Sequence, residues 1–230
     1  GPGTPRIASR YRSGRPRDLP AKPQALKFRI AHAVRFKRAD GDGSGEILVG
    51  RAHGNDYTVP SSSEYSRWLL YSHSGTSLAS GGADWDVTNY PTSVALGDVD
   101  GDGLAEIAIG RNQIGNDEDW FIYDYNEGAP VLIGDGKLET DDDYPKDIAI
   151  GTVDGRGALA LASSSLSSSE PRVRLEIYNS DNNFETRELE SSIRGNNTYA
   201  SAVALGDIDG DGNDEVLAGY AANDGTFSTS

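Results

Sequence analysis

The 230-residue chain contains no cysteine. That excludes a disulfide framework, a thiol nucleophile and a cysteine metal site, and it is compatible with any compartment. Only three histidines occur, His32, His53 and His73. They are spread along the chain without an HxxxH spacing, so each reads as a surface or turn residue rather than a ligand or a base. No stretch approaches the ~18 consecutive apolar residues needed to cross a bilayer as a helix. Helical periodicity is nearly absent. Basic residues are scarce beyond position 38: the first 38 residues hold 11 of the 21 Lys and Arg with one acid, Asp18, leaving 10 basic against 35 acidic side chains in the remainder. A body of that charge repels phosphate backbones, which excludes nucleic-acid binding by the globular part.

The leader "RIASRYRSGRPRDLPAKP" reads as a solvated linker, an arm lying on its own acidic body, or a contact for an anionic partner. The opening "GPG" reads as the scar of a removed tag and is left out of fold reasoning. The chain is thus expected to be cut from something longer, and the lack of a signal peptide says nothing about secretion. The division expected is residues 1–24 as leader and linker, able to contribute a strand, and 25–230 as the folded body.

What the chain does have is glycine, 28 residues of it, and a repeat. "VALGDVDGDGLAEIAIG" (94–110) matches "VALGDIDGDGNDEVLAG" (203–219) at most positions, and "VRFKRADGDGSGEILVG" (34–50) aligns with both without a gap. "IAIGTVDGRGALALASS" (148–164) is weaker but in register, so Arg38, Asp98, Thr152 and Asp207 are equivalent, at spacings of 60, 54 and 55 residues. Each unit has a short apolar run, a Gly/Asp loop and a second run such as "EIAIG". An aromatic run follows: "RWLLYS" (67–72), "DWFIYDY" (119–125) or "RVRLEIY" (172–178). Some units add a fourth run, such as "PVLIG" (130–134). Runs of this length, rich in Val, Ile, Tyr and Trp and bounded by turn residues, are strands.

The fold class expected is therefore all-β, with about four four-stranded units of the kind that form β-propeller blades. The fourth unit stops two strands short, at "NDGTFSTS". Segments 7–13 ("IASRYRS") and 25–30 ("ALKFRI") are candidates to supply them and close a four-bladed ring, because an open series would leave sheet edges exposed. The rival is a partial propeller from a longer chain. Trp68 and Trp120, in the third runs, are expected between blades. Trp85 and Tyr90, beside a Gly-rich connection, are expected to be exposed, where they could stack on sugars or anchor a protein. "GTSLASGGADWD" (75–86), "SSSLSSSE" (163–170) and the acidic "DDDY" (141–144) read as loops, and "NNT" places a glycosylation pattern at Asn196.

The Gly/Asp loops crowd carboxylates. Asp98, Asp100, Asp102 and Glu106 occupy loop positions 1, 3, 5 and 9, as do Asp207, Asp209, Asp211 and Glu215. Two carboxylates about 4 Å apart repel by roughly 1 kcal/mol in water and about 4 kcal/mol at an effective dielectric near 20. A hard divalent cation reverses that sign. Calcium takes six to eight oxygens, backbone carbonyls included, so the position-7 carbonyls of Leu104 and Asn213 join the expected ligands. Magnesium, with its strict octahedral demand, suits such a loop less. Position 12 is Ile109 or Ala218 and the flanks are strands, so neither loop is an EF-hand. Arg38 replaces the first acid of the earliest loop, leaving Asp40, Asp42 and Glu46: either the arginine stands in for an ion or a weak third site binds one. The third unit keeps only Asp154, with Thr152, Arg156 and Ala160 at the other acid positions, so no ion is expected there.

The pattern D-x-D-x-D-G-x-x-[DE] between strands resembles the calcium loops of FG-GAP/VCBS repeats, the units of integrin α-like propellers, through four units over about residues 30–220. The resemblance implies a propeller in which each such loop joins the first two strands of a blade. All protein ligands fall in one loop, so the expected ions, two and potentially a third, are structural. The function expected is a calcium-stabilised recognition module, secreted or at the cell surface because such loops suit millimolar calcium, that binds a protein or glycan without catalysis or membrane insertion. The alternatives are an accessory targeting or scaffold domain of a larger secreted enzyme, such as a lyase, nuclease or peptidase, and a purely structural spacer.

Overall fold

The computed structural model describes residues 29–37, 39, 42–52, 67–82, 89–112, 118–126, 128–138, 143–165, 172–184, 187–194 and 198–222. Fourteen strands are described: β1 (Arg29–Lys37), β2 (Glu46–Ala52), β3 (Arg67–Tyr71), β4 (Ser77–Gly81), β5 (Tyr90–Gly97), β6 (Glu106–Asn112), β7 (Trp120–Asn126), β8 (Ala129–Gly136), β9 (Asp143–Val153), β10 (Arg156–Ser165), β11 (Arg172–Asn179), β12 (Arg187–Arg194), β13 (Thr198–Gly206) and β14 (Glu215–Ala222). Among the described residues the one helical element is a 3₁₀ turn, Ser180–Asn182.

The strands form three antiparallel four-stranded meanders, β1–β4, β5–β8 and β9–β12, and a hairpin, β13–β14. The first two meanders join through a single parallel pair, His32 with Ser93. The four units expected from the repeat are thus present, the last with two described strands. Their first strands lie side by side, β1 against β5, β5 against β9 and β9 against β13.

A gradient across each unit explains its sequence. In the second unit β6 is buried along nearly its whole length, so it reads as a continuous apolar run. A third strand alternates, as β3 does, and the outermost strand β8 is largely exposed. First strands carry a bulge at the same place in each unit, between Ala31 and Arg35, Pro91 and Ser93, Pro145 and Asp147, and Ala200 and Ala202. A bulge leaves the ladder locally unpaired, which is why Pro91 and Pro145 are tolerated inside strands.

Each unit has a leading face that packs on the trailing face of the next. Leu48, Trp68 and Leu70 of the first unit meet Val94, Leu96, Ile107 and Ile109 of the second. Ala95, Ala108, Trp120 and Ile122 of the second meet Ile148, Ile150, Leu159 and Leu161 of the third. Ala149, Ala160 and Ile177 of the third meet Val203, Leu205 and Val216 of the fourth. Trp68 and Trp120 are fully buried between units, as expected. Their rings lie 5.3 Å from Tyr123 and 5.0 Å from Tyr178 of the following unit. Each indole also covers a glycine on the neighbouring outer strand: a Cβ on Gly81 or Gly136 would fall 2.4 Å from the ring of Trp68 or Trp120.

Several expectations are corrected. "GTSLASGGADWD" is not all loop, since Ser77–Gly81 forms β4. "SSSLSSSE" begins inside β10, where Ser163 and Ser164 are buried and paired with both neighbouring strands. Asp143 and Tyr144 of "DDDY" open β9. Arg29 and Ile30, the end of the candidate closing strand 25–30, pair with β2 and belong to the first unit. Tyr90 begins β5 half-buried rather than exposed. Segment 7–13, Trp85, His53 and Asn196 lie outside the described residues, while His73 is exposed in the β3–β4 turn.

Candidate metal centre

The two complete acidic loops, residues 98–106 and 207–215, join the first and second strands of their units, β5 to β6 and β13 to β14. Glycine permits the curl: Gly101, Gly103, Gly210 and Gly212 have φ of +81°, +88°, +82° and +93°, a region costly for residues with a Cβ. The acids then fold the loop around themselves. Asp98 accepts the amides of Gly101 at 2.7 Å and Gly103 at 3.0 Å, one on each carboxylate oxygen. Asp207 accepts those of Gly210 at 2.6 Å and Gly212 at 3.0 Å in the same way. Asp100 takes the amide of Asp102, and Asp209 that of Asp211, both at 3.1 Å. Position 9 ties the loop shut: Glu106 Oε2 accepts the Val99 amide at 2.6 Å and Glu215 Oε2 the Ile208 amide at 2.8 Å.

The result is a pair of carboxylate triads. One oxygen each from Asp98, Asp100 and Glu106 lie within 4.8 Å of one another, and so do those of Asp207, Asp209 and Glu215. Oxygens bound to one calcium at about 2.3–2.6 Å sit at most about 5 Å apart, so both triads fit one ion. A carboxylate offers about four acceptor sites, so the amide bonds leave lone pairs for a cation. Asp102 and Asp211 stand outside the triads, their Oδ1 atoms accepting the amides of Leu104 at 2.7 Å and Asn213 at 2.8 Å. Leu104 and Asn213 lie within the loops at position 7.

The loops differ in burial. Glu106 is buried and Glu215 half-buried. Burial pushes the Glu106 carboxyl up to about 8, against the Val99 hydrogen bond and with help from Asp100, Asp98 and Asp102. Asp124 is a residue the loop motif does not contain. It follows Tyr123, the β7 partner of Ile107. Its carboxyl is raised, first by burial and then by Asp100 and Asp102, so β7 extends the negative field beyond the loop. An acid inside an otherwise aromatic strand was its only signal in sequence.

The other two loops depart from this pattern. In the first, Glu46 is buried and its carboxylate accepts the Ala39 amide, as Glu106 does with Val99, while Asp42 Oδ1 accepts the Ser44 amide at 2.6 Å. Arg38 and Asp40 lie outside the described residues. In the third, the gap-free alignment is corrected. Asp154 and Gly155, both at positive φ (51° and 72°), make a two-residue hairpin turn with Val153 paired to Arg156. Ala158, not Ala160, faces Gly151, as Glu106 faces Gly97. The loop is two residues shorter and has no triad. Its Thr152 instead takes Asp214 of the next unit, donating its amide to Oδ2 at 2.9 Å and accepting the Asp214 amide at 2.7 Å.

A comparison with curated proteins found no match. A family model for the FG-GAP repeat matches residues 90–117, the segment that holds β5, the first complete acidic loop and β6. Over that segment the chain carries an FG-GAP repeat.

Proposed function

We propose that this chain is a calcium-stabilised β-propeller recognition module that works outside the cell and binds a protein or glycan partner without catalysing a reaction. The observation that carries the reading is the duplicated triad: two loops in different units place the same three carboxylates within 4.8 Å of one another through the same hydrogen bonds. FG-GAP repeats often bind calcium and usually belong to extracellular propellers, and three meanders and a hairpin stacked face to face are what blades of a propeller require.

The ligands would be Asp98, Asp100 and Glu106 in one loop and Asp207, Asp209 and Glu215 in the other, joined by Asp102 or Asp211 and the position-7 carbonyls. An ion there supplies charge neutralisation to a strand connection rather than a reactive centre, since its protein ligands come from one closed loop. Calorimetric titration with calcium tests the metal: about two equivalents should bind, and none would end the reading. Probing glycan and protein arrays with the calcium-loaded protein tests recognition. Binding to either supports a module, and binding to neither leaves a spacer as the better account.

A further inference from the structure

We infer that Asp214, a residue outside the triads, ties ion binding in the fourth-unit loop to the docking of that unit on the third, so that each strengthens the other. This rests on the reading that the loop binds calcium. Loop position 8 faces the preceding unit: in the second unit it is Ala105, buried in the core shared with the first. In the fourth unit it is Asp214, and its side chain reaches the end of β9. Asp214 Oδ2 accepts the Thr152 amide at 2.9 Å, and the Asp214 amide donates to the Thr152 carbonyl at 2.7 Å. The clasp depends on Gly151, where a Cβ would fall 2.2 Å from Asp214 Oδ2. The first and second loops have Gly45 and Ala105 at position 8, and neither offers a side-chain acceptor.

The fourth unit has more need of such a clasp than the others. Among the described residues β13 and β14 pair only with each other, and a lone hairpin is marginally stable in water. Its order therefore depends on packing against the third unit. That core is built on Ala149, Ala158, Ala160 and Ala162 of the third unit, whereas the core between the second and third units holds Trp120, Ile122, Leu159 and Leu161. Each alanine buries one methyl group, so the apolar attraction is weaker and polar contacts matter more. Two aspartates supply them. Asp214 grips the third unit at the loop end, and Asp147 of β9 accepts the Val203 amide of β13 on Oδ2 at 3.0 Å.

The position of Asp214 in the chain makes the link. It stands between Asn213, whose carbonyl is a proposed ligand, and Glu215, a member of the triad. Without an ion, Asp207, Asp209 and Glu215 repel one another across less than 4.8 Å. Any spreading of the loop moves residue 214 with its neighbours and spoils its aim at Thr152. An ion that holds both neighbours fixes that aim. Linkage makes the effect reciprocal: the factor by which calcium favours docking is the factor by which docking tightens calcium binding, typically about 5–150-fold for coupled sites.

Calorimetric titration with calcium, together with hydrogen exchange of β13 read by mass spectrometry in calcium and in EDTA, tests this. Gly151→Ala is the sharpest variant, because it changes no charge and lies in the unit without a triad, yet displaces the Asp214 carboxylate. It should weaken one calcium-binding event by at least about fivefold and leave the other as it was. In the native chain calcium should slow exchange across Thr198–Gly206 by at least about the same factor, and Gly151→Ala should cancel most of that slowing. Asp214→Ala and Asp214→Asn check the clasp from the other side, even if Gly151→Ala does not fold. Both lose the same charge, but asparagine keeps an acceptor for the Thr152 amide and should bind calcium more tightly than alanine. Calcium binding with equal affinity in the native chain and Gly151→Ala, equal affinity in the two Asp214 variants, or β13 exchange indifferent to calcium would each overturn the inference and leave the calcium reading standing. A native chain that binds no calcium would overturn both.

Discussion

The amide of Val99 donates to Glu106 across a nine-residue loop, and Val99 itself is packed into the core between the second and third units. The carboxylate that completes a triad is thereby attached to the residue that locks one unit onto the next. An ion in this loop would act on packing as well as on charge.

Calcium should therefore raise the melting temperature and a chelator should lower it. At a free concentration 100 times the dissociation constant, one site adds about 2.7 kcal/mol, which for a chain of this size is a rise of roughly 5–10 °C. Differential scanning calorimetry in calcium and in EDTA measures it. Superimposable traces would remove the ion from the account.

The calcium effect should depend on pH, and the sign follows from Glu106. Without metal its carboxyl is raised to about 8, above the ordinary 4.5, by burial before anything else. Between those values the folded state holds a proton that the unfolded state has lost. Stability of the metal-free protein should then fall as pH rises from about 4.5 through about 8. Calcium replaces the proton and removes that fall. The gap between melting temperatures with calcium and with EDTA should widen from pH 5.5 to 8.5, and binding near pH 7 should release a proton, read from calorimetry in buffers of different ionisation enthalpy. A constant gap with no proton release would show that Glu106 is ionised without metal.

The effect of Asp100→Ala should depend on calcium, and that of Asp154→Ala should not. Asp100 belongs to a triad, so its loss should lower the melting temperature in calcium and leave it unchanged or higher in EDTA, where repulsion is relieved. Asp154 is in a tight turn at φ 51°. Aspartate already carries the Cβ that strains this conformation, so alanine there, losing only the short polar side chain that eases the left-handed region, should cost less than about 1 kcal/mol, equally with and without calcium. Equal calcium dependence of the two variants would mean that the third unit also binds an ion.

The repeat made much of this legible. The strands around both complete loops follow from loops that recur at spacings of 54 to 60 positions, and the inter-unit burial of Trp68 and Trp120 follows from their places in the third apolar run of each unit. What escaped was what the repeat does not encode. The outer strand β4 is written in "SLASG", with no aromatic or β-branched residue, because only one of its faces needs burial. The two-residue deletion at Asp154–Gly155 stayed hidden because "ALALA" repeats with period two, so a shift of two residues still sets a leucine, Leu161 in place of Leu159, against Ile107. Asp124 escaped because its meaning comes from β7 lying beside β6. That is a relation between strands, not along one.

The glycine-to-indole contact carries the last prediction. Trp120 is fully buried, packs on Tyr178 of the next unit and lies over Gly136, its cross-strand partner. Trp120→Ala removes the largest side chain of that core and should cost about 3–5 kcal/mol. Gly136→Ala leaves every apolar contact in place, but its Cβ falls 2.4 Å from the indole, so the ring must move toward Tyr178. It should cost about 1–3 kcal/mol by overpacking. In the double variant the alanine at 136 enters the space the indole has left, so the second substitution should cost far less than it does alone. Val131→Ala, on the same outer strand at a side chain 55% exposed, should stay within about 0.5 kcal/mol of the parent. Urea denaturation of the calcium-loaded protein reads all four variants. Strict additivity of the 120 and 136 costs would show that the glycine is needed for its backbone and not for the ring above it.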